Sequence, residues 1–338
     1  MMRILLFGDV MLGENLFHTG RGIRTRFKNN YESIISEHIK TQLIEKSDML
    51  FVNLECSLAE NEFIQNGAIE NFIYTAEKDS LKFLPNSIPK IFNIANNHFS
   101  QHGISSVHLS KSIINEQKIN LVGDSNDPLI IIDKQKLLKF WGFSLVEDTQ
   151  NCGGYNLVDE RYVKTFFEKM QKTENELWCV SLHWGEEYMP RPTITQINFA
   201  HYLIDLGVDL IIGHHPHIIQ PIEYYNNKLI IYSLGNFIFD QNFSIETCSG
   251  LVVNINTDEL DKSEFYVSKQ SNYIVTDVHS ISKEKAIEGY HNLDTFDKNY
   301  IASKYNKLMK LEYIKNIFLT NHRVLFFLIK KYLKKIFN

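Results

Sequence analysis

Apolar positions in this chain gather into short unbroken runs, each closed by a polar cluster. The runs are RILLFGD (3–9), MLFVNLE (49–55), KIFNIANNH (90–98), LWCVSLHWG (177–185) and VDLIIGHH (208–215). Continuous rather than alternating hydrophobicity marks strands covered on both faces, as in a sheet held between other layers. Helical spacing predicts helices over 31–47, 104–118, 159–172 and 193–207. Thr193 stands where an N-cap is wanted, and Gly207 where a left-handed residue closes a helix. Residues 220–237 predict two strands joined by a tight turn at Asn226-Asn227. Strand and turn patterns run to about Val278. An α/β domain over 1–280 is therefore expected, with a helical, basic C-terminal tail over 281–338.

Composition narrows the class. The chain has 338 residues and is 44% apolar, enough to bury about three quarters of the surface its unfolded form exposes. Disorder and low complexity are excluded. Cys56, Cys152, Cys179 and Cys248 form no C-x-x-C pair and fit reduced thiols in a cytoplasmic setting. The opening MMRILLFGDV is too short for a signal-peptide core or a membrane span, and is expected to be the first strand.

Charge is unevenly spread. From Lys307 onward there are eight Lys or Arg against one acid, Glu312, so the net −5 is composed of a +7 tail and a −12 body. An acidic body without interleaved basic and aromatic motifs argues against a nucleic-acid partner. In RVLFFLIKKYLKKIF (323–337), helical spacing places Lys330, Lys331, Lys334 and Lys335 on one arc and the apolar residues opposite. Such a helix suits peripheral contact with the inner face of a membrane, or packing on the domain or on a second subunit.

The candidate chemistry sits at the strand ends. Asp9 closes the first run, Glu55 the second, Asn97 and His98 the third, and His183 the fourth. His214, His215 and His217 close the fifth. Singly, each has an ordinary explanation: an Asp capping a turn, or a His satisfied in the core. In open α/β sheets, however, the carboxyl ends of parallel strands share one rim, so all five would meet. Mixed imidazole, carboxylate and amide donors suit Mn, Fe or Zn, bound as one or two divalent ions, and paired ions activate water against phosphate and amide bonds. Cys56 beside Glu55 is expected to be a buried thiol. Glu186 and Glu187 are expected either to line the cleft or to stay solvated, and Asn236 either to reach the site or to shape a turn. The remaining histidines, His18 among them, are expected to be structural or on the surface.

In order along the chain, GDVMLG (8–13), NLECSL (53–58), ANNHFSQHG (95–103), SLHWGEEY (181–188) and the long run from Gly207 to Asp240 resemble the CapA family. This is the bacterial capsule or poly-γ-glutamate synthesis type, a branch of the calcineurin-like metallophosphoesterases. The resemblance implies a four-layer α/β/β/α sandwich of the metallophosphoesterase type. It implies metal ligands at Asp9, Glu55, Asn97, His183 and His217, with either His214 or His215, and His98 beside the leaving group as a catalytic acid. Three departures accompany it. Met11 stands where ordinary phosphoesterases of this fold have His, Gln101 stands where the pattern usually has Asp, and the N-terminal membrane anchor common in the family is not expected ahead of the first strand. The implied function is a metal-dependent hydrolase of phosphoester or amide bonds in capsule or poly-γ-glutamate synthesis, acting on an anionic polymer or its precursor. The alternative is a non-hydrolytic polymer-handling or export-assembly module with a degenerate metal site.

Overall fold

The computed structural model describes residues 2–60, 73–148, 152–290 and 297–317, with Leu325, Phe326 and Ile329 beyond them. Its strands form two large sheets. The first runs, edge to edge, β16 (Ile274–Ile281), β15 (Glu264–Ser271), β14 (Ser249–Asn256), β1 (Arg3–Val10), β2 (Met49–Leu54), β5 (Lys90–Asn93) and β6 (Asn120–Val122), with β13 (Asn236–Ile238) paired to the end of β1. The second runs β11 (Ile222–Tyr225), β12 (Lys228–Ile231), β10 (Leu210–His214), β9 (Glu176–His183), β8 (Lys136–Ser144) and β7 (Leu129–Asp133). A small parallel pair, β3 (Ser57–Ala59) and β4 (Thr75–Glu77), stands apart. The centre of each sheet is parallel: β1, β2 and β5 in one, β8, β9 and β10 in the other.

Side-chain alternation along these strands produces the layers. In β1, Ile4 and Leu6 face the second sheet and meet Phe140, Cys179 and Ile212, while Leu5 and Phe7 face outward. That outer face is covered by α1 (Ile23–Phe27), α2 (Glu37–Gln42) and α3 (Ile104–Glu116) through Ile23, Ile39, Val107 and Ile113. In β9, Trp178, Val180 and Leu182 face outward under α4 (Glu160–Glu168) and α5 (Ile194–Asp205), which bring Phe167, Phe199 and Leu203. Helix, sheet, sheet, helix: the four-layer α/β/β/α sandwich is the observed architecture. Each large apolar side chain so buried contributes about 1.5–3 kcal/mol.

Local signals hold in several places. Thr193 caps α5 in a capping box with Gln196, and Gly207 takes φ +107 just past its end. Asn226 and Asn227 both adopt positive φ (50° and 60°) in the turn between β11 and β12. Two expectations are corrected. The helix over 31–47 is broken into a 3₁₀ turn at Tyr31–Ile34, then α2, then a second 3₁₀ turn at Ile44–Lys46. Tertiary pairing overrides its helical spacing, because buried Ile35 bridges Val275 and the Ser36 N–H donates to the Val275 carbonyl at 3.1 Å. The third strand ends at Asn93 rather than reaching residue 98, since the side chains of Asn93 and Asn96 bind β2 residues instead of continuing a ladder.

Beyond β16 come α6 (Lys283–Glu288) and α7 (Lys298–Ile317). The first half of α7 packs on the body: Tyr305 stacks on Tyr188 with ring centroids 4.8 Å apart, and Lys304 pairs with Glu246 at 2.9 Å. No helix among the described residues is long and apolar enough to cross a membrane. The amphipathic helix expected over 323–337 lies outside the described residues except at Leu325, Phe326 and Ile329, which are helical, with Phe326 and Ile329 exposed.

Candidate metal centre

Register brings the site residues to one height. Asp9 pairs with Asn53 and with Asn236, Asn53 with Asn93, and His183 with His214. Gly8 permits this crossing, because a Cβ there would lie 2.0 Å from the Gly235 carbonyl oxygen. Its neighbour Asp9 then donates its N–H to that same carbonyl at 2.8 Å. The loops leaving β2, β5, β9 and β10 complete a rim on which all eight expected residues are found.

The two carboxylates differ sharply. Asp9 is fully buried and saturated. Its Oδ1 accepts from the Asn53 amide (2.9 Å) and faces His214 Nδ1 (3.0 Å), while its Oδ2 accepts the His215 N–H (3.2 Å) and faces His217 Nδ1 (3.2 Å). Four contacts use the four lone-pair directions of a carboxylate. Burial alone would raise its pKa, but the bonds from His214 and His217 hold it well below the usual range. Glu55 is equally buried, yet its Oε1 has no hydrogen-bond partner. Around that oxygen stand His183 Nε2 at 3.7 Å, His217 Nε2 at 3.8 Å and His98 Nε2 at 4.0 Å. Burial, then the charge on Asp9, push Glu55 well above the ordinary carboxylate pKa.

These spacings fit a metal. Donors each about 2.1 Å from one ion at tetrahedral angles lie about 3.4 Å from one another, slightly closer than the present atoms. The donor sets Glu55, His215, His217 and Asp9, Glu55, His183 each have ligand atoms within 4.8 Å of one another. Glu55 is common to both. Asn97 Oδ1 joins the second set, 2.9 Å from His183 Nε2. Burial lowers the pKa of His215 to about 3 and also lowers that of His183, so both present lone pairs at neutral pH. His217 is opposite: burial would lower it, but Glu55 and Asp9 raise it to about 10. In the metal-free protein its proton therefore supplies the positive charge that a cation would bring.

Where the sequence offers two registers for the Gly-His step, the structure separates them. His215 lies in a donor set, its ring 4.8 Å from that of His183. His214 lies outside both sets and holds Asp9 from within the sheet sandwich. His215 (φ +97) and His217 (φ +59) occupy the left-handed region, a strain that recurs at functional sites. Met11 is wholly buried among apolar side chains and supplies no donor.

His98 is oriented from two sides. Gln101 Oε1 lies 3.0 Å from its Nδ1, and Tyr74 stacks flat on its ring, centroids 3.7 Å apart at 7°. The Gln101 amide thus fills the orienting place expected of an Asp, without a charge. Nδ1 carries the proton, and burial holds the pKa at about 4, so Nε2 faces Glu55 as a lone pair. Asn236 reaches the site, facing His217 Nδ1 at 3.0 Å. Cys56 is a buried thiol, raised to about 12 by burial. His18 is buried between Asp240 and Glu312.

Sequence reasoning passes over Asn53, Asn93, Asn96 and Tyr74. The Asn53 side chain touches Asp9, Glu55 (3.5 Å), His183 Nδ1 (3.4 Å), Asn93 (2.9 Å) and Asn96 (3.3 Å). Its available signal is a lone amide inside the apolar run MLFVNL. Asn53→Leu keeps the volume but strands several buried polar groups, and should cost about 2–4 kcal/mol. Urea unfolding of the metal-free protein measures it, and an unchanged midpoint would show the hub to be dispensable.

Residues 3–241 match the model of the bacterial capsule synthesis protein PGA_cap. The chain is 28% identical over 257 residues to the PGA biosynthesis protein CapA of Bacillus subtilis (strain 168), covering 72% of this chain and 65% of that protein. It is 26% identical over 266 residues to the capsule biosynthesis protein CapA of Bacillus anthracis, covering 74% and 63%. It thus spans just under two thirds of the length of these relatives. A phosphatase from Mycoplasma pneumoniae of known structure overlays 83% of this chain and 92% of its own, with a TM-score of 0.42 and 13% identity, too loose an overlay to argue from. The match over most of the chain shows that it belongs to the family of bacterial capsule synthesis proteins of the CapA, or PGA_cap, type.

Proposed function

We propose that the protein is a metal-dependent hydrolase of phosphoester or amide bonds in the synthesis of poly-γ-glutamate or a related cell-surface polymer. The observation that carries this reading is Glu55 Oε1, a buried oxygen without a hydrogen-bond partner, faced by three imidazole nitrogens at 3.7–4.0 Å. Glu55, His215 and His217 would hold one divalent ion, and Asp9, Glu55 and His183 with Asn97 are the donors for a second. Such an ion supplies Lewis acidity and lowers the pKa of water. Asp9 also orients His217 and the backbone of His215. Asn53 lies 3.4 Å from His183 Nδ1, and His183 Nε2 points toward Asn97 and Glu55. His98 presents the Nε2 lone pair at the edge of the cluster, where it would take a proton from the attacking water and pass that proton to the departing atom.

With Met11 giving no imidazole to the set that holds Asp9, one ion should be held firmly and a second weakly or not at all. Elemental analysis after purification without chelator should give nearer one ion than two per chain. Two equally retained ions, or none in excess Mn, would overturn the site. Turnover is tested with a chromogenic phosphodiester and a γ-glutamyl anilide on the metal-loaded protein. The buried Met11 favours a second reading, a polymer-handling or export-assembly module. Firm metal binding with no turnover of either bond type would support that reading over hydrolysis.

A further inference from the structure

A buried relay joins α7 to the metal centre. Tyr188 lies on the turn after β9, with its backbone at φ +63. Its N–H donates to the Pro216 carbonyl at 2.8 Å, which ties this turn to the one that carries His215 and His217. Its hydroxyl accepts from Gln241 Nε2 at 3.1 Å. Gln241 Oε1 in turn accepts from Asn236 Nδ2 at 3.1 Å, and Asn236 Oδ1 faces His217 Nδ1 at 3.0 Å. None of these four residues is more than 6% exposed, so water does not compete for the bonds. The Tyr188 ring also meets α7. Tyr305, wholly buried, stacks on it at an interplanar angle of 21°, and Ile301 and Ile218 close the same apolar cluster. Ile218 directly follows His217. Tyr305 and Ile301 lie beyond residues 3–241, the stretch that matches the family.

We propose that Tyr188 is a positioning residue for His217, acting through Gln241 and Asn236, and that Tyr305 of α7 holds Tyr188 in place. The inference rests on the metal centre proposed above, in which His217 is a ligand. A partner on one imidazole nitrogen sets the tautomer and the direction in which the other nitrogen meets a cation. Asp9 Oδ2 and Asn236 Oδ1 both face His217 Nδ1, so both call for the proton there and leave Nε2 for the ion. Asp9 is anchored by its own four contacts. Asn236 is anchored by two acceptors of its Nδ2, the Gln241 carbonyl oxygen and the Thr247 carbonyl at 3.0 Å. These fix which atom of the amide turns to His217. The Tyr188 hydroxyl fixes Gln241 in the same way, by accepting from its Nε2. Without that hydroxyl, Gln241 Nε2 is buried with its acceptor gone, and the side chain is driven to seek another away from Asn236. The stack on Tyr305 leaves the Tyr188 ring one position, so α7 sets the far end of the relay.

The test is calorimetric titration of the full-length, metal-free protein with Mn, with thermal unfolding measured before Mn is added. Tyr188→Phe keeps the stack on Tyr305 and removes only the hydroxyl. It should weaken Mn binding about tenfold, the lower end of the loss when partners of a metal-bound His are removed. Tyr305→Ala should weaken it by a similar factor, and Tyr305→Phe, which keeps the ring, should bind Mn as the unsubstituted protein does. Both effects pass through one hydroxyl, so the double variant Tyr188→Phe, Tyr305→Ala should bind Mn no more weakly than the weaker single variant. A merely structural role would lower Tm and leave Mn affinity alone. Unchanged affinity in Tyr188→Phe, losses that multiply in the double variant, or Tyr305→Phe as weak as Tyr305→Ala would each overturn the proposal. If Tyr305→Ala does not fold, Tyr188→Phe still decides. An unsubstituted protein that binds no Mn overturns the metal centre, and this proposal with it. Affinities that respond as stated, without turnover of either test bond, defeat the hydrolase reading alone.

Discussion

Replacing His98 with Asn should lower kcat by about 10²–10⁴-fold while leaving metal content unchanged, the loss typical of a removed acid–base group. The geometry separates His98 from the donors. Its Nε2 is the most distant of the three imidazole nitrogens from Glu55 Oε1, at 4.0 Å, and it lies in neither donor set. Its ring is fixed by Gln101 at Nδ1 and by Tyr74 against its face, the work of a residue that must present one nitrogen in one direction. Asn is small enough for the site and retains an amide for Gln101, so the fold should tolerate it. Turnover of whichever test bond the unsubstituted protein cleaves, with metal analysis on the same preparation, decides the matter. If His98→Asn strips the metal, His98 is a ligand and its assigned role is wrong.

Glu55→Gln should lower metal affinity by more than about 100-fold, since loss of residues that merely orient ligands already costs 10–100-fold. Glu55 is the member common to both donor sets, so one substitution removes a charged donor from each. Gln matches its shape and can still meet the Asn53 side chain, which lies 3.5 Å from Oε2. The metal-free variant should therefore unfold at nearly the same temperature as the unsubstituted protein. The difference appears on adding Mn: the unsubstituted protein should gain Tm by mass action and the variant should not. A variant that still gains Tm with Mn would move the site away from Glu55. A metal-free variant that fails to fold would show Glu55 to be structural.

His214 and His215 show how the sequence reading ends. Both follow one apolar strand, and spacing cannot rank them. Pairing ranks them: His214 is the last residue of β10, in register with His183, and its side chain faces Asp9 inside the sandwich. His215 leaves the strand with φ +97, and its ring comes to 4.8 Å from that of His183. Asp9 is the converse case. Its strand-end position reads as a ligand in sequence, and the structure sets it in a donor set with Glu55 and His183 while four groups 44 or more positions away hold it in place.

The sequence by itself determined the buried parallel strands, the helices α3, α4 and α5, and the polar residues at the strand ends. These follow from local periodicity and from residue chemistry, which neighbours along the chain express. Tertiary structure alone decided that 31–47 breaks at Ile35 to bridge Val275, that Asn53 becomes the hub of the site, and that Tyr74 covers His98. Each of these joins residues far apart in the chain. Their energies arise from burial and paired charge, which no window of sequence contains.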